Sequence, residues 1–307
     1  MSVEEAYVRW GYGPARFLGQ GMEGVVHHLS GGFVGKAWGE RTPDQVRVLA
    51  AFYDELAGQD LPFATPRMVA VHEHRGQAVS IEQELTGTSL GAMVEAGRLS
   101  TAVAHRAVVG VVAAMGRTTA GPATRALPVL GEKGVLRRGG CTWGQDMAAL
   151  VKRRTTQFWA VLERAVPDLE EVVAAVLSLL DKVSEPVPEP IVHGDICPPN
   201  ILVDGAGRPT AVLDWGFFTA AGDVAFDAAT AAGFFDMYGP GAGENDRALA
   251  GLMVDELGQD RERMLLYRAV YALVSANVYS PTGEDGHFAW CVATFERRDV
   301  RSLLGLG

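Results

Sequence analysis

Ile191-Val192-His193-Gly194-Asp195-Ile196-Cys197-Pro198-Pro199-Asn200-Ile201-Leu202-Val203, followed by Thr210-Ala-Val-Leu-Asp214-Trp215-Gly216, is the stretch that decides the fold. It places two carboxylates and a carboxamide in loops, each beside a short apolar run. Asp214 ends the run Thr210–Leu213, so a strand there presents its side chain at the end of a sheet. Asn200 directly precedes Ile201–Val203, a second short strand. Between them, Asp204-Gly-Ala-Gly-Arg-Pro209 is rich in turn residues. Strand, turn and strand therefore bring Asn200 and Asp214 to the same end of one hairpin. Pro198 and Pro199 stiffen the loop between Asp195 and Asn200 and forbid a helix there.

Taken singly, Asp195 and Asp214 read as turn residues and Asn200 as a cap. Their joint order suits phosphoryl transfer. That chemistry needs little covalent help and much positioning and charge neutralisation. Magnesium takes hard oxygen ligands and keeps several waters, so one carboxylate and one amide oxygen suffice beside the nucleotide phosphates. One Asp remains to face the attacking hydroxyl.

His193-Gly194-Asp195 with Asn200, then Asp214-Trp215-Gly216, then Gly222-Asp223-Val-Ala-Phe-Asp227 closely resembles the aminoglycoside phosphotransferase family. The resemblance implies an α+β, bilobal protein-kinase-like fold: a small antiparallel β-sheet N-lobe and a larger, mainly helical C-lobe. It implies Asp195 as catalytic base and Asn200 and Asp214 as ligands of Mg2+, with Asp223 and Asp227 bracing the site. The lobes are expected at residues 1–84 and 91–307, joined by a hinge at 85–90.

Nearer the start, Gly19-Gln-Gly21-Met-Glu-Gly24-Val-Val26 matches G-x-G-x-x-G-x-V. A dinucleotide fold requires a helix straight after such glycines. Here Val25–Leu29, a Ser30-Gly31-Gly32 turn and Phe33–Trp38 read instead as a hairpin. A glycine flap followed by a strand lysine is the kinase arrangement. Gly19, Gly21 and Gly24 would let backbone N–H groups approach phosphates, and Lys36 is the candidate phosphate-binding lysine, which reads otherwise as a solvated strand lysine. Thr42-Pro43-Asp44-Gln45 opens a helix with apolar face Val46, Leu49, Phe52, Tyr53 and Leu56. In related kinases a glutamate on this helix pairs with the strand lysine. Gln45 holds the matching position without a charge, and Asp54 and Glu55 come late. Met68–His72 and Ala78–Glu82 form a further hairpin, completing a five-stranded antiparallel sheet. Gln83-Glu84-Leu85-Thr86-Gly87 resembles the family's hinge, where backbone groups near Glu84 and Leu85 would bind the purine of ATP or GTP.

From Ser100 the pattern turns helical. Helices are expected around Val103–Met115, Gln145–Val166, Asp168–Val183, Val224–Met237, Glu244–Leu257, Arg261–Tyr279 and Phe288–Leu304. Pro186–Pro190 reads as a stiff connector. The acidic residues Asp236, Glu244, Asp246, Asp255, Glu256, Asp260, Glu284 and Asp285 are candidates for an acceptor pocket. Trp143, Tyr238, Tyr279 and Trp290 are candidate aromatic walls. Each of these also reads as ordinary surface or core.

The 307 residues carry a net charge of −10, which disfavours nucleic acid and anionic membranes and leaves room for a cationic small acceptor. Simple solubility explains the acidity equally well. Cys141, Cys197 and Cys291 show neither disulfide nor zinc spacing, which fits a cytoplasmic location. No secretory signal core and no run of roughly 18 apolar residues appears. The expected function is O-phosphotransfer from ATP or GTP to a small-molecule hydroxyl, first on an antibiotic. A metabolic kinase for choline, homoserine or sugar-like acceptors, and a nucleotide-binding pseudokinase, are the alternatives. The short run from Gly216 to Asp227 leaves no room for a protein kinase's long activation segment.

Overall fold

The computed structural model describes residues 2–21, 23–183 and 189–307; most of the expected Pro186–Pro190 connector lies outside them. The chain forms two compact units, residues 1–88 with 202–213, and residues 89–201 with 214–307.

The first unit is built on a five-stranded antiparallel sheet in the order β1-β2-β3-β5-β4. Its strands are β1 (Arg16–Gly21), β2 (Gly24–Leu29), β3 (Phe33–Trp38), β4 (Met68–His74) and β5 (Gln77–Gln83). Helix α1 (Val3–Arg9) is closed at its start by a capping box between Ser2 and Glu5. Its Tyr7 is wholly buried against Leu29, Ala37, Val79 and Ile81. Gly35 of β3 makes room for it: a Cβ there would stand 2.5 Å from the tyrosine ring. Helix α2 (Pro43–Ala57) buries the apolar face read from the sequence. It contributes no partner for Lys36 at the expected position. Gln45 is instead the N3 member of a capping box, its side chain accepting from the Thr42 N–H at 2.8 Å. The chain leaves this unit through β6 (Thr88–Ser89).

The second unit is mainly helical, with α3 (Leu90–Glu95), α4 (Thr101–Met115), α5 (Pro122–Arg125), α6 (Trp143–Ala165) and α7 (Leu169–Leu180) before the segment that carries Asp195 and Asn200. That segment comprises β7 (Ile191–Val192) and a 3-10 turn at Pro198–Asn200, and runs on into β8 (Ile201–Val203) and β9 (Pro209–Val212), which from Leu202 to Leu213 belong to the first unit. The two prolines exclude an α-helix but start this single tighter turn, where the absent proline N–H is not missed. Strand β10 (Ala220–Ala221) pairs antiparallel with β7. Then come α8 (Val224–Phe234), α9 (Ala242–Leu257), α10 (Arg261–Ser275), α11 (Gly286–Thr294) and α12 (Arg298–Leu304).

Two helix expectations are corrected. The helix begun at Arg261 ends at Ser275 rather than Tyr279; beyond it, Asn277 Nδ2 donates to the Ser280 carbonyl at 3.2 Å and shapes a loop. The single helix expected over Phe288–Leu304 is two. Arg297 breaks it with extended backbone, and its guanidinium binds Asp246 and Asp299. No helix among the described residues is long and apolar enough to cross a membrane.

Helix α8 is the hub of this unit. Every residue from Ala225 to Phe234 is buried, and half of them are alanine. Small side chains let α8 lie close to its neighbours α9 and α10. At Gly233 a Cβ would fall on the Arg268 guanidinium, so a side chain there would have to displace an arginine that is bound to Asp246 and the Ala229 carbonyl.

Candidate active site

In the first unit, the glycine flap is the turn from β1 to β2, with Gly19 opposite Val26 and Gly21 opposite Gly24. The three glycines differ in what the fold asks of them. Gly24 lies at φ +154°, and a Cβ there would stand 2.1 Å from the Ala37 carbonyl oxygen. At Gly19 and Gly21 a Cβ would meet nothing within 4 Å. Packing therefore explains Gly24, whereas Gly19 and Gly21 leave their backbone open to approach from outside.

Lys36, on β3, does meet a carboxylate. Its Nζ lies 2.7 Å from Glu23 Oε2, and Arg41 reaches Glu23 Oε1 at 2.6 Å. The lysine also stands 3.8 Å from the centroid of the Trp38 ring. The two cations hold the Glu23 carboxyl below its usual range, against a desolvation that acts the other way. A carboxylate partner for the lysine thus comes from the flap itself. The signal was a glutamate inside the glycine motif, and the register Val26↔Lys36 brings β2 beside β3 to make the contact. At the end of β5, the Glu84 N–H donates to the Gly32 carbonyl at 2.9 Å, and its carboxylate sits 3.4 Å from His28. Leu85 follows it in irregular chain.

In the second unit, the loop after β7 is fixed from below. Asp227, wholly buried on α8, accepts the His193 N–H at 2.9 Å and the Gly194 N–H at 2.7 Å, one on each oxygen. Burial pushes its carboxyl up to about 7, against the pull of those two bonds. Gly194 lies at φ +77°, and a Cβ there would meet Phe218 Cβ at 2.4 Å. The loop then turns so that the Asp195 N–H donates to His193 Nδ1 at 3.1 Å. His193 packs against Trp215 with centroids 4.2 Å apart, and Thr219 Oγ1 donates to the His193 carbonyl at 3.1 Å.

Asn200 closes the loop. Its Nδ2 donates to both the Asp195 carbonyl and Asp195 Oδ2, each at 3.0 Å. With the amide nitrogen committed, Oδ1 remains as the group's hard acceptor. Asp214, after β9, is exposed and sits at φ +56°, one of four non-glycine residues at positive φ among those described. Such backbone on a non-glycine residue costs energy and concentrates at functional sites. Cys197 ties the two carboxylates to one neighbourhood: burial first, then the charges of Asp195 and Asp214, push its thiol well up. It is therefore a protonated, packed thiol, not a nucleophile.

Asp223 caps α8 by accepting the Ala225 N–H at 3.0 Å. Its other oxygen accepts from the Tyr267 hydroxyl at 2.7 Å and from Arg263 at 3.2 Å. Trp143 Nε1 donates to that same hydroxyl at 3.1 Å, which makes Trp143 core rather than a cleft wall. Several acidic candidates also have structural posts. Asp246 is bound by Arg268 and Arg297, Asp260 caps α10, Asp285 caps α11, and Glu256 pairs with Arg106.

A model of the phosphotransferase enzyme family matches residues 25–267, and the chain belongs to that family. No curated protein matches the sequence. Among solved structures, macrolide 2'-phosphotransferase MphH from Brachybacterium faecium, as apoenzyme, is similar over 95% of this chain and 97% of its own, at 22% identity and TM-score 0.61. The gentamicin complex of the phosphotransferase APH(2")-IIa covers 98% and 97% at 13% identity and TM-score 0.62. The ADP-bound aminoglycoside phosphotransferase APH(2'')-Ib covers 99% and 96% at 14% identity and TM-score 0.59. At such identities the likeness carries the fold: a kinase-like α+β architecture with a five-stranded antiparallel sheet and a helical part.

Proposed function

We propose that the chain is a small-molecule O-phosphotransferase that moves the γ-phosphoryl of ATP or GTP to a substrate hydroxyl, with an antibiotic as the first class of acceptor. Membership of the phosphotransferase family makes a kinase-type enzyme the starting point. The observation that carries the reading further is the Asn200 amide, which holds Asp195 by side chain and backbone at once. It fixes a half-exposed carboxylate in one orientation, as a group that must meet an incoming hydroxyl requires. The neighbours that were solved with ADP, GDP, ATP, gentamicin, kanamycin and streptomycin support nucleotide use and a small acceptor. Need of a nucleoside triphosphate and three free thiols support a cytoplasmic setting.

Asp195 takes the proton of the acceptor hydroxyl as its oxygen forms the new bond to phosphorus. The bond from the γ-phosphorus to the bridging oxygen breaks, and the nucleoside diphosphate leaves. Asn200 Oδ1 and the Asp214 carboxylate fit magnesium. They offer hard oxygens, and the amide nitrogen that would repel a cation is turned toward Asp195. When bound, the ion supplies neutralising charge at the phosphates. Lys36 binds phosphate oxygens as a point charge, released from or shared with Glu23, while the open backbone at Gly19 and Gly21 covers them. The Glu84 N–H is spent on Gly32, so the purine's contacts fall to the Glu84 carbonyl and the Leu85 backbone.

A panel of antibiotics and metabolites, with nucleotide turnover as readout, tests the proposal. Transfer to an antibiotic hydroxyl, seen as a mass gain of one phosphoryl group, is the expected result; turnover confined to choline or homoserine would replace the antibiotic role with a metabolic one. Two variants test the nucleotide side. Lys36→Ala raises the nucleotide KM by about 10- to 100-fold, the equivalent of one charge-assisted contact. Asp214→Ala lowers Mg-nucleotide affinity in calorimetry and makes the remaining binding nearly insensitive to magnesium. An Asp214→Ala protein that keeps its full magnesium dependence would remove Asp214 from the ligand set.

A further inference from the structure

Glu23 sits in the turn between β1 and β2, and its carboxylate is divided between two cations. Lys36 of β3 lies 2.7 Å from Oε2, and Arg41, in the segment between β3 and α2, lies 2.6 Å from Oε1. Both cations also stand over one ring. Lys36 Nζ is 3.8 Å from the centroid of Trp38, and the Arg41 guanidinium carbon is 5.3 Å from it. Trp38 is buried, and its Nε1 donates to Ser80 Oγ at 2.9 Å, so the ring is tied to β5. The two cations therefore have a seat that does not depend on the carboxylate. Glu23 is held differently. Its carbonyl accepts the Gly39 N–H at 2.8 Å, and Gly24, next in the chain, lies close against the Ala37 carbonyl, so its backbone is fixed. Its side chain keeps 32% of its surface exposed. Rotation about the side-chain bonds alone would withdraw the carboxylate from between the cations, with the flap's backbone in place.

We propose that Glu23 is an internal stand-in for the nucleotide's phosphates: it fills a two-cation phosphate site made by Lys36 and Arg41, the nucleotide displaces it, and Arg41 is thereby a second phosphate-binding residue. This rests on the nucleotide-dependent reading above and chooses, for Lys36, release from Glu23 over sharing with it. A carboxylate gripped by a lysine and an arginine, one on each oxygen, offers them the same charge and the same edge as two oxygens of a phosphate. Desolvation works against its charge, but the two cations hold the Glu23 carboxyl below its usual range, so at neutral pH the charged form fills the site. The exchange has two consequences. Apparent nucleotide affinity is lowered by the fraction of molecules in which Glu23 occupies the site, and it rises when Glu23 is removed. A nucleoside without phosphates brings no anion to exchange, so the stand-in favours phosphorylated ligands over bare nucleosides. A glutamate that clamped the lysine permanently would give the opposite result on removal, because the lysine would lose its orientation and the nucleotide would bind less well.

The test is calorimetry of the full chain with MgATP, MgGTP and adenosine, with thermal melts in the presence and absence of each, on wild type, Glu23→Gln, Glu23→Asp and Arg41→Gln. Glu23→Gln is expected to bind the preferred nucleotide about threefold or more tightly than wild type. Without nucleotide it melts below wild type, since two cations have lost their common anion, and nucleotide raises its melting temperature by more than it raises that of wild type. A purely structural ion pair would lower both melts alike. Arg41→Gln is expected to weaken nucleotide binding about tenfold, while adenosine affinity moves less than about twofold. Glu23→Asp, with an arm one methylene shorter, tightens binding by less than Glu23→Gln and serves in its place if that variant does not fold. Nucleotide binding that is unchanged or weaker in the Glu23 variants would overturn the proposal, and so would unchanged nucleotide binding in Arg41→Gln; either result leaves the phosphotransferase reading intact. A wild-type protein that binds neither MgATP nor MgGTP would bring down that reading, and this inference with it.

Discussion

Asp195→Ala lowers kcat for phosphoryl transfer by about 10²- to 10⁴-fold, the usual worth of a positioned general base. Nucleotide binding stays within about twofold of wild type, because the proposed mechanism has the residue serve the acceptor's proton rather than the phosphates. Asp195→Asn separates two contributions. It keeps a side chain of the same shape beside the Asn200 amide but removes the proton acceptor. If turnover falls as far in Asp195→Asn as in Asp195→Ala, proton transfer dominates; if Asn retains most of the activity, orientation by shape dominates. A kcat in Asp195→Ala close to wild type would mean that another group takes the proton. Rapid-quench measurement of the transfer step, rather than steady-state turnover alone, keeps product release from masking the loss.

Asp227→Ala carries the second large effect, and its readout is stability as well as rate. The His193 and Gly194 N–H groups are buried and end on this one carboxylate. Truncation leaves both unpaired, at about 1–3 kcal/mol each, so the melting temperature falls by several degrees. The loop that carries Asp195 loses its footing in the same stroke, so kcat falls without any change at the reacting atoms. Asp227→Asn is milder, since its oxygen accepts one N–H while its amine confronts the other. The carboxyl also makes a pH signature. Burial holds it up to about 7 in the folded chain, against roughly 3.9 for a free aspartate. Folding therefore binds a proton here. The resulting stability is complete below the unfolded value and is lost as pH rises through about 7. The melting-temperature gap between wild type and Asp227→Asn is expected to narrow from pH 4 to pH 8. A gap that stays constant or widens over that range would show the carboxylate to be charged throughout.

The legible parts of the fold are those set by local chemistry. The alternation and turns around Gly31-Gly32 and Arg75-Gly76 give antiparallel hairpins by backbone preference alone, and the sheet follows. Thr42 and Pro43 announce α2 for the same reason. The Asp195, Asn200 and Asp214 order was readable because the loop and hairpin are short and contiguous. What escaped depends on contacts that spacing does not encode. Glu23 is hidden inside a glycine motif, and only the β2–β3 register brings it to Lys36. Gln45 looked like a failed partner for that lysine because capping and ion pairing ask for similar residues at similar places. The break between α11 and α12 has no proline or glycine to mark it. It comes from Arg297 reaching back to Asp246, 51 positions earlier. The aromatic candidates separate only in three dimensions: Trp143 bonds Tyr267 inside the core, while Tyr238 and Tyr279 remain at the surface.

The alanine-lined α8 has a bearing on how this protein could change. Through Asp227 it anchors the loop that carries Asp195, and it is surrounded so closely that a single added methyl at Gly233 collides with a guanidinium. Larger side chains along α8 would shift the helix, and the loop would ride with it. Substitutions should therefore be tolerated better in the exposed turns bearing Tyr238 and Tyr279, where replacements have room, than in the helix itself.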